Sequence, residues 1–231
     1  MPEGTTGAIV PAAGLGLRLG GVNKAFAEVA GQPLVAWSLD ILQGCPEVDR
    51  IALVLQEASV AEGRRLASQR GWSKVLVCAG GSRRQDSVLQ GLRILGECSW
   101  IIIHDGARPL VDEAMVHRGL DAARKWGAAV AAVPVKDTIK EAGTDALVMH
   151  TPDRSRLWAA QTPQVFRREI LEAAYRQAGS QEATDDASLV ERVGGKVALF
   201  AGEHRNIKVT TPEDLLVAEL FLKERQRQRV F

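Results

Sequence analysis

Residues 8–24 read AIVPAAGLGLRLGGVNK. An apolar run, Ala8 to Val10, breaks into a turn holding Gly14 and Gly16, and two cations follow, Arg18 and Lys24. A strand feeding a glycine loop brings backbone N–H groups against a phosphate, and nearby cations add the full charges that backbone dipoles lack. No Gly-Lys-Ser/Thr closes the loop, so it is not a Walker loop, and its third glycine falls at Gly20 rather than Leu19, off the dinucleotide spacing. Alone, the loop also reads as a plain glycine turn beside two surface cations. The spacing of Arg18 and Lys24 lets both fold back over one bound triphosphate.

Working outward, strand-length apolar runs alternate with helical patterns. Pro33 to Gln43 puts Leu34, Trp37, Ile41 and Leu42 on one helical face, with Pro33 in the first turn. Ile51–Leu55 reads as a strand buried on both faces, followed by a polar helix over 60–69 and a strand over 74–78. That strand runs into AGGSRRQDS (79–87), a second glycine turn opening a helix that carries Val88, Leu89, Leu92 and Leu95. Trp100–Ile103 is a further buried strand ending at HDGARP (104–109); Asp112 caps a helix reaching Trp126, and Ala128–Val133 is a strand that Pro134 stops. Alternating strand and helix means parallel strands joined by right-handed crossovers, with ligands beyond the strands' carboxyl ends. The glycine loop, Gly80-Gly81 and Asp105 all fall at such ends.

Residues 135–164 break the pattern and read as extended, hairpin-like arms with a turn over 141–145. Helices resume over 167–177 and 185–193, the second capped by Thr184. A last core strand covers 196–200. Thr211-Pro-Glu-Asp214 is a cap, a first-turn proline and an acid at the third position. The terminal helix is expected to turn Leu215, Leu216, Ala218, Leu220 and Leu222 inward, and residues 225–231 read as a solvated tail.

At 231 residues the chain suits one large α/β domain, and 46% hydrophobic with 25% charged residues is ordinary for a globular protein. Lys+Arg 29 against Asp+Glu 28 leaves a net charge of +1, which argues against a broad nucleic-acid face. A polyanionic partner must be small and met by a local cluster of cations. Cys45, Cys78 and Cys98 form no CxxC pair, so neither a disulfide framework nor a zinc site is expected; Cys78, in an apolar run, reads as a buried thiol. The N-terminus lacks a signal peptide's pattern, and no segment stays apolar for the ~20 residues a membrane helix needs. A cytoplasmic protein without a membrane partner is expected.

Asp105, at a strand end, suits Mg²⁺ or a ribose hydroxyl, or a simple turn. His104 reads as a packing or hydrogen-bonding residue rather than a base, and Arg108 as the partner of a local carboxylate. Gly80-Gly81-Ser82 and Ser87 can read a base edge without charge, or merely open a helix. Arg154, Thr162, Thr184 and Lys208 carry little signal in isolation.

Together these pieces form a pattern. PAAGLGLRLG, AGGSRRQDSV, HDGARP, VPVKDTIKE, LWAAQTPQVF, ATDDASLVE and NIKVTTPEDLLVAE occur in that order over about Ile9 to Leu222. The chain resembles the 2-C-methyl-D-erythritol 4-phosphate cytidylyltransferases, CTP-dependent enzymes of non-mevalonate isoprenoid synthesis. The resemblance implies a three-layer α/β/α, Rossmann-like nucleotidyltransferase domain spanning 1–231, with a mostly parallel sheet and a protruding β-arm over 137–156 that forms a homodimer. It implies CMP transfer from CTP to the polyol phosphate with Mg²⁺, and no nucleic acid. It puts Arg18 and Lys24 on the CTP phosphates as catalytic groups. Ala12, Ala13, Gly14, Gly16, Gly81, Ser82 and Ser87 would hold the nucleotide, and Asp105 would sit near ribose, metal and acceptor. Arg154, Thr162, Thr184 and Lys208 would grip the acceptor, with Arg154 and Thr162 serving the neighbouring subunit's site. Leu17, Asn23 and Gly106 depart from the family pattern without removing a needed charge. A cytidylyltransferase for another polyol phosphate, such as ribitol 5-phosphate, and a non-catalytic nucleotide-binding protein are the rival readings.

Overall fold

The apolar run that opens the chain becomes β1 (Thr6–Pro11). In the computed structural model, which describes residues 4–14, 24–179 and 182–228, this strand lies inside a seven-stranded sheet. The chain continues through β2 (Glu28–Val29), β3 (Gln32–Pro33), α1 (Leu34–Gly44), β4 (Arg50–Leu55), α2 (Val60–Arg70), β5 (Val75–Ala79), α3 (Arg84–Leu95), β6 (Trp100–Ile103), α4 (Glu113–Trp126) and β7 (Ala128–Pro134). A hairpin, β8 (Glu141–Ala142) and β9 (Val148–His150), precedes β10 (Trp158–Arg167), α5 (Arg168–Ala178), α6 (Asp186–Arg192), β11 (Ala198–Ala201) and α7 (Pro212–Gln228). The main sheet runs β11-β7-β10-β6-β1-β4-β5.

Strand periodicity sorts the core into two layers of helix over one sheet, a Rossmann-like α/β/α fold. Ala8, Val10, Ile51, Leu53, Leu55 and Ile102 face α1 and α4, where Val35, Leu39, Met115 and Leu120 meet them. Ile9, Ala52, Val54, Ile101 and Ile103 face the other way, onto Val88, Leu92 and Leu95 of α3 and Leu171 and Leu189 beyond. Both faces are covered, so β1, β4 and β6 are continuous apolar runs. Each fully buried Leu or Ile here contributes on the order of 1.5–3 kcal/mol. Gly91 lets α3 settle on β1: a Cβ there would stand 2.5 Å from Ile9 Cγ2.

The connections β1→β4→β5 step outward with parallel pairing, and the chain then returns to lay β6 parallel on the other side of β1. Strand order therefore reverses between β1 and β6, which opens a crevice at their carboxyl ends.

Several sequence expectations change. The irregular stretch is shorter than residues 135–164, because β10 is a central strand, antiparallel to both β6 and β7. The excursion closes where Val135 N donates to Leu157 O at 3.1 Å. Pro33 stands just before α1 rather than inside it, and Val35, Ala36 and Leu39 join Leu34 and Leu42 on the buried side. Asp185, not Thr184, caps α6, its carboxylate accepting from Ser188 N at 3.0 Å. Cys78 is only half-buried. The strand over 196–200 is an edge strand, β11.

α7 differs most. Ala218 and Leu222 are buried in a small cluster with Val29, Leu34 and Val209, whereas Leu216 and Leu220 are 69% and 65% exposed. The helix rests on a narrow seam, not a broad face. It also runs into the expected tail as far as Gln228, and Arg225 Nη1 donates to Val111 O at 2.8 Å. Its start is as expected: Asp214 accepts from Thr211 N at 2.9 Å and Thr211 Oγ1 from Asp214 N at 3.3 Å.

Candidate active site

A cavity of about 390 Å³ occupies the crevice where strand order reverses. The end of β1 contributes Pro11 to Gly14, the turn before α3 contributes Gly81 to Arg84 with Ser87, and β6 runs into Asp105 to Ala107. Lys24, Lys208 and Thr210 complete its lining. The cavity is of the size that encloses a small ligand.

The turn before α3 is held by its own side chains. Asp86 accepts from Arg83 N at 3.2 Å and from Ser82 Oγ at 3.2 Å, and it pairs with Arg83 Nη2 at 2.6 Å. Gly81 N donates to Ser87 Oγ at 3.3 Å. The N-terminus of a twelve-residue helix thus opens on the cavity, an end that favours anions.

Asp105 is the one carboxylate among the described lining residues. It is 7% exposed and met by three cations: Lys208 Nζ at 2.9 Å, Arg84 Nε at 3.6 Å and Arg108 Nε at 3.8 Å. Burial alone would raise its pKa, but Arg84, Lys208 and Arg108 overcome this and hold it at about 2. Arg84 is fixed from behind: Nη1 lies 2.6 Å from Asp186 Oδ2, and Tyr175 Oη donates to Asp186 Oδ1 at 2.5 Å. Asp186 is wholly buried, and burial raises its pKa against the pull of Arg84.

His104 is neutral. Burial lowers its pKa to about 4. Its Nε2 donates to Arg108 O at 3.0 Å, so Nδ1 accepts from Thr162 Oγ1 at 3.1 Å. Thr162 Oγ1 in turn accepts from Asp105 N at 3.0 Å. This chain of hydrogen bonds starts at an irregularity of β10 between Ala160 and Gln164, the kind of break that re-aims a side chain.

The expected residues therefore divide. Lys24, Ala12, Ala13, Gly14, Gly81, Ser82, Ser87, Asp105 and Lys208 come together around one cavity. Gly16 and Arg18 lie outside the described residues. Thr162 is 4% exposed, and its hydroxyl is engaged with Asp105 N and His104 Nδ1 of its own chain. Thr184 is exposed and does not line the cavity. Arg154 lies on the arm, where Nη1 donates to Lys136 O at 2.5 Å. Neither Arg83 nor Arg84 stands out in the sequence as a site residue, although both lie in the glycine turn over 79–87. The partner that pins Arg84, Asp186, lies on α6 and leaves no local trace.

Known proteins resemble this chain along nearly its whole length. The sequence model of the family described as IspD, 2-C-methyl-D-erythritol 4-phosphate cytidylyltransferase, matches residues 6–224. The chain belongs to this family. A 2-C-methyl-D-erythritol 4-phosphate cytidylyltransferase from Dehalococcoides mccartyi is 49% identical over 219 residues, covering 94% of this chain and 96% of that protein. Among solved structures, 4-diphosphocytidyl-2C-methyl-D-erythritol synthase from Anaerococcus prevotii is 31% identical with a TM-score of 0.85, covering 95% of this chain and 98% of its own. The family's cytidylyltransferase from Thermus thermophilus is 32% identical with a TM-score of 0.78, covering 94% and 98%.

Proposed function

We propose that the crevice between β1 and β6 is where this chain performs its family's reaction. The enzyme transfers CMP from CTP to 2-C-methyl-D-erythritol 4-phosphate, giving 4-diphosphocytidyl-2-C-methyl-D-erythritol and pyrophosphate. The convergence of Lys24, Arg84 and Lys208 with a single ionised carboxylate in one cavity carries this placement.

The acceptor is a phosphate monoester with a second pKa near ~6, so it is largely dianionic at neutral pH and is already a nucleophile. It needs no general base, in keeping with a buried His104 whose ring nitrogens are both engaged. The obstacle is bringing a dianion to a triphosphate. Cations must screen that repulsion and hold the attack in line with the departing pyrophosphate. In this reading Lys24 and Arg18 stabilise charge on the α-phosphate in the transition state. Ala12, Ala13, Gly14 and Gly16, with Gly81, Ser82 and Ser87, hold the nucleotide. Lys208, paired to Asp105, positions the acceptor phosphate.

Mg²⁺ fits the donor set, since this ion commonly takes one or two carboxylates and completes its shell with substrate phosphates and water. Asp105 would hold it, and the ion would supply neutralisation of the triphosphate's charge.

The reading extends to a cytoplasmic homodimer. Three unpaired cysteines suit a reducing compartment. No helix among the described residues is long and apolar enough to cross a membrane. The arm exposes Leu147, Val148 and Met149 at 68%, 59% and 65%, a contiguous apolar tip that a second copy would cover. Arg154, outside its own chain's cavity, would then reach the partner's acceptor. Pyrophosphate release from CTP, assayed against a panel of polyol phosphates with ribitol 5-phosphate included, tests the assignment. Turnover with methylerythritol phosphate above the others is expected; preference for another polyol, or for UTP or GTP, contradicts it.

A further inference from the structure

Asp186 opens α6 and is wholly buried, although Asp185 beside it already caps that helix. A carboxylate is costly to bury, and a buried ion pair is weak evidence of added stability. The contacts of its two oxygens point to another use. Oδ1 accepts from Tyr175 Oη of α5 at 2.5 Å, and Oδ2 lies 2.6 Å from Arg84 Nη1 at the start of α3. No hydrogen bond reaches Oδ2 among the described residues, so the charge of Arg84 is what answers it.

Arg84 stands between two carboxylates. On its other side, Nε is 3.6 Å from Asp105 Oδ1, outside hydrogen-bond distance. The two acids compete unequally for it. Asp105 has Lys208 and Arg108 as further partners, whereas Asp186 would become an uncompensated buried charge if Arg84 moved away. The pull toward Asp186 therefore wins, and the rigid guanidinium is held back from Asp105.

Held there, Arg84 acts on Asp105 through its charge and makes no direct bond to Oδ1. Lys208 already meets Oδ2 at 2.9 Å. Oδ1 is thus the Asp105 oxygen with no cation at bonding distance among the described residues. Were Arg84 released, it could close on Oδ1 in a charge-assisted hydrogen bond and occupy that oxygen.

We propose that Asp186 is a positioning residue, which restrains Arg84 so that Asp105 Oδ1 stays open to the divalent cation of CMP transfer. Tyr175 orients the restraining carboxylate. The role rests on the reading of Asp105 as the group that holds Mg²⁺.

The test measures binding without turnover. The full-length chain is titrated into Mn²⁺·CTP, a paramagnetic stand-in for Mg²⁺·CTP, with the acceptor omitted, and the ternary complex is read from water-proton relaxation. Asp186→Asn keeps the shape of the side chain and removes its charge. It should weaken Mn²⁺·CTP binding at least ~10-fold, the scale of losing a group that supports a metal ligand. Binding of metal-free CTP, followed by calorimetry, should weaken by less than ~2-fold. In an Arg84→Met background, Asp186→Asn should change Mn²⁺·CTP binding by less than ~2-fold, because no guanidinium remains to restrain. Should Asp186→Asn not fold, Tyr175→Phe takes its place, with a loss of at least ~3-fold expected for the missing hydroxyl. Undiminished Mn²⁺·CTP affinity in Asp105→Asn would overturn the reading of Asp105 itself. A loss in Asp105→Asn without one in Asp186→Asn, or its substitute Tyr175→Phe, would overturn the positioning role alone. An equal loss for metal-free CTP, or one that persists in the Arg84→Met background, would overturn that role too.

Discussion

Lys208 Nζ lies 2.9 Å from Asp105 Oδ2, joining the segment before α7 to the end of β6. The lysine is 44% exposed while the carboxylate is nearly buried, so the pair faces the cavity with its cation outermost. In the proposed reading, an incoming phosphate meets the ammonium before the carboxylate. Arg84 and Arg108 hold Asp105 from the other sides, which keeps the carboxylate ionised when Lys208 turns to a substrate.

Lys208→Met should therefore raise the KM for the acceptor phosphate more than the KM for CTP. Steady-state kinetics with each substrate varied in turn would show the split. Equal increases in both constants would remove Lys208 from the acceptor side.

Thr162→Val keeps the shape of the side chain and deletes the acceptor used by Asp105 N and the donor used by His104 Nδ1. Leaving a buried amide unpaired costs about 1–3 kcal/mol. Chemical denaturation should register that loss, and Thr162→Ser should recover most of it. A valine variant as stable as wild type would mean that the hydroxyl is dispensable.

His104 makes stability depend on pH in a stated direction. Its folded pKa, lowered to about 4 by burial, lies below the ordinary histidine value of about 6.5. Between those values the unfolded chain binds more protons, so stability rises with pH across the window and falls on acidification. At pH ~5 the residue should account for about 2 kcal/mol of lost stability relative to neutral pH. The stability difference between wild type and His104→Gln should shift by about that amount over the same interval. A difference that stays constant with pH would show that His104 is not held neutral.

The terminal helix offers a contrast between two leucines. Leu222 is fully buried, and Leu222→Ala should cost about 2–5 kcal/mol, whereas Leu220 is 65% exposed and Leu220→Ala should change stability by no more than about 0.5 kcal/mol. Urea unfolding midpoints distinguish them. Comparable losses would restore the broad inward face that the leucine pattern suggested.

That contrast shows what a sequence pattern carries. β4 and β6 are legible because strands buried on both faces must be apolar throughout, and Ile51–Leu55 and Trp100–Ile103 have no other use. β10 is hidden for the opposite reason. It holds Pro163, which argues against a central strand, and a buried polar residue, Gln164. Only the fold explains these: the pairing with β7 is irregular there, and Gln164 is satisfied by Asp185 at 2.8 Å and Ala187 N at 3.1 Å. Leucines alternate along α7 without saying how wide a seam awaits them.

The site was legible in the same uneven way. Asp105 and Lys208 sat in recognisable motifs, but their pairing depends on strand order. Thr162 also sat in a recognisable motif, but its burial beneath Asp105 depends on the course of β10. Arg84 went unremarked because the acid that fixes it lies on a distant helix.

The central claim, that cations in this crevice carry CMP transfer, is tested most directly by kcat for Lys24→Met under saturating CTP, acceptor and Mg²⁺. With the fold confirmed by circular dichroism, kcat should fall at least ~10²-fold, the scale of losing one preorganised donor. Turnover close to wild type would contradict it.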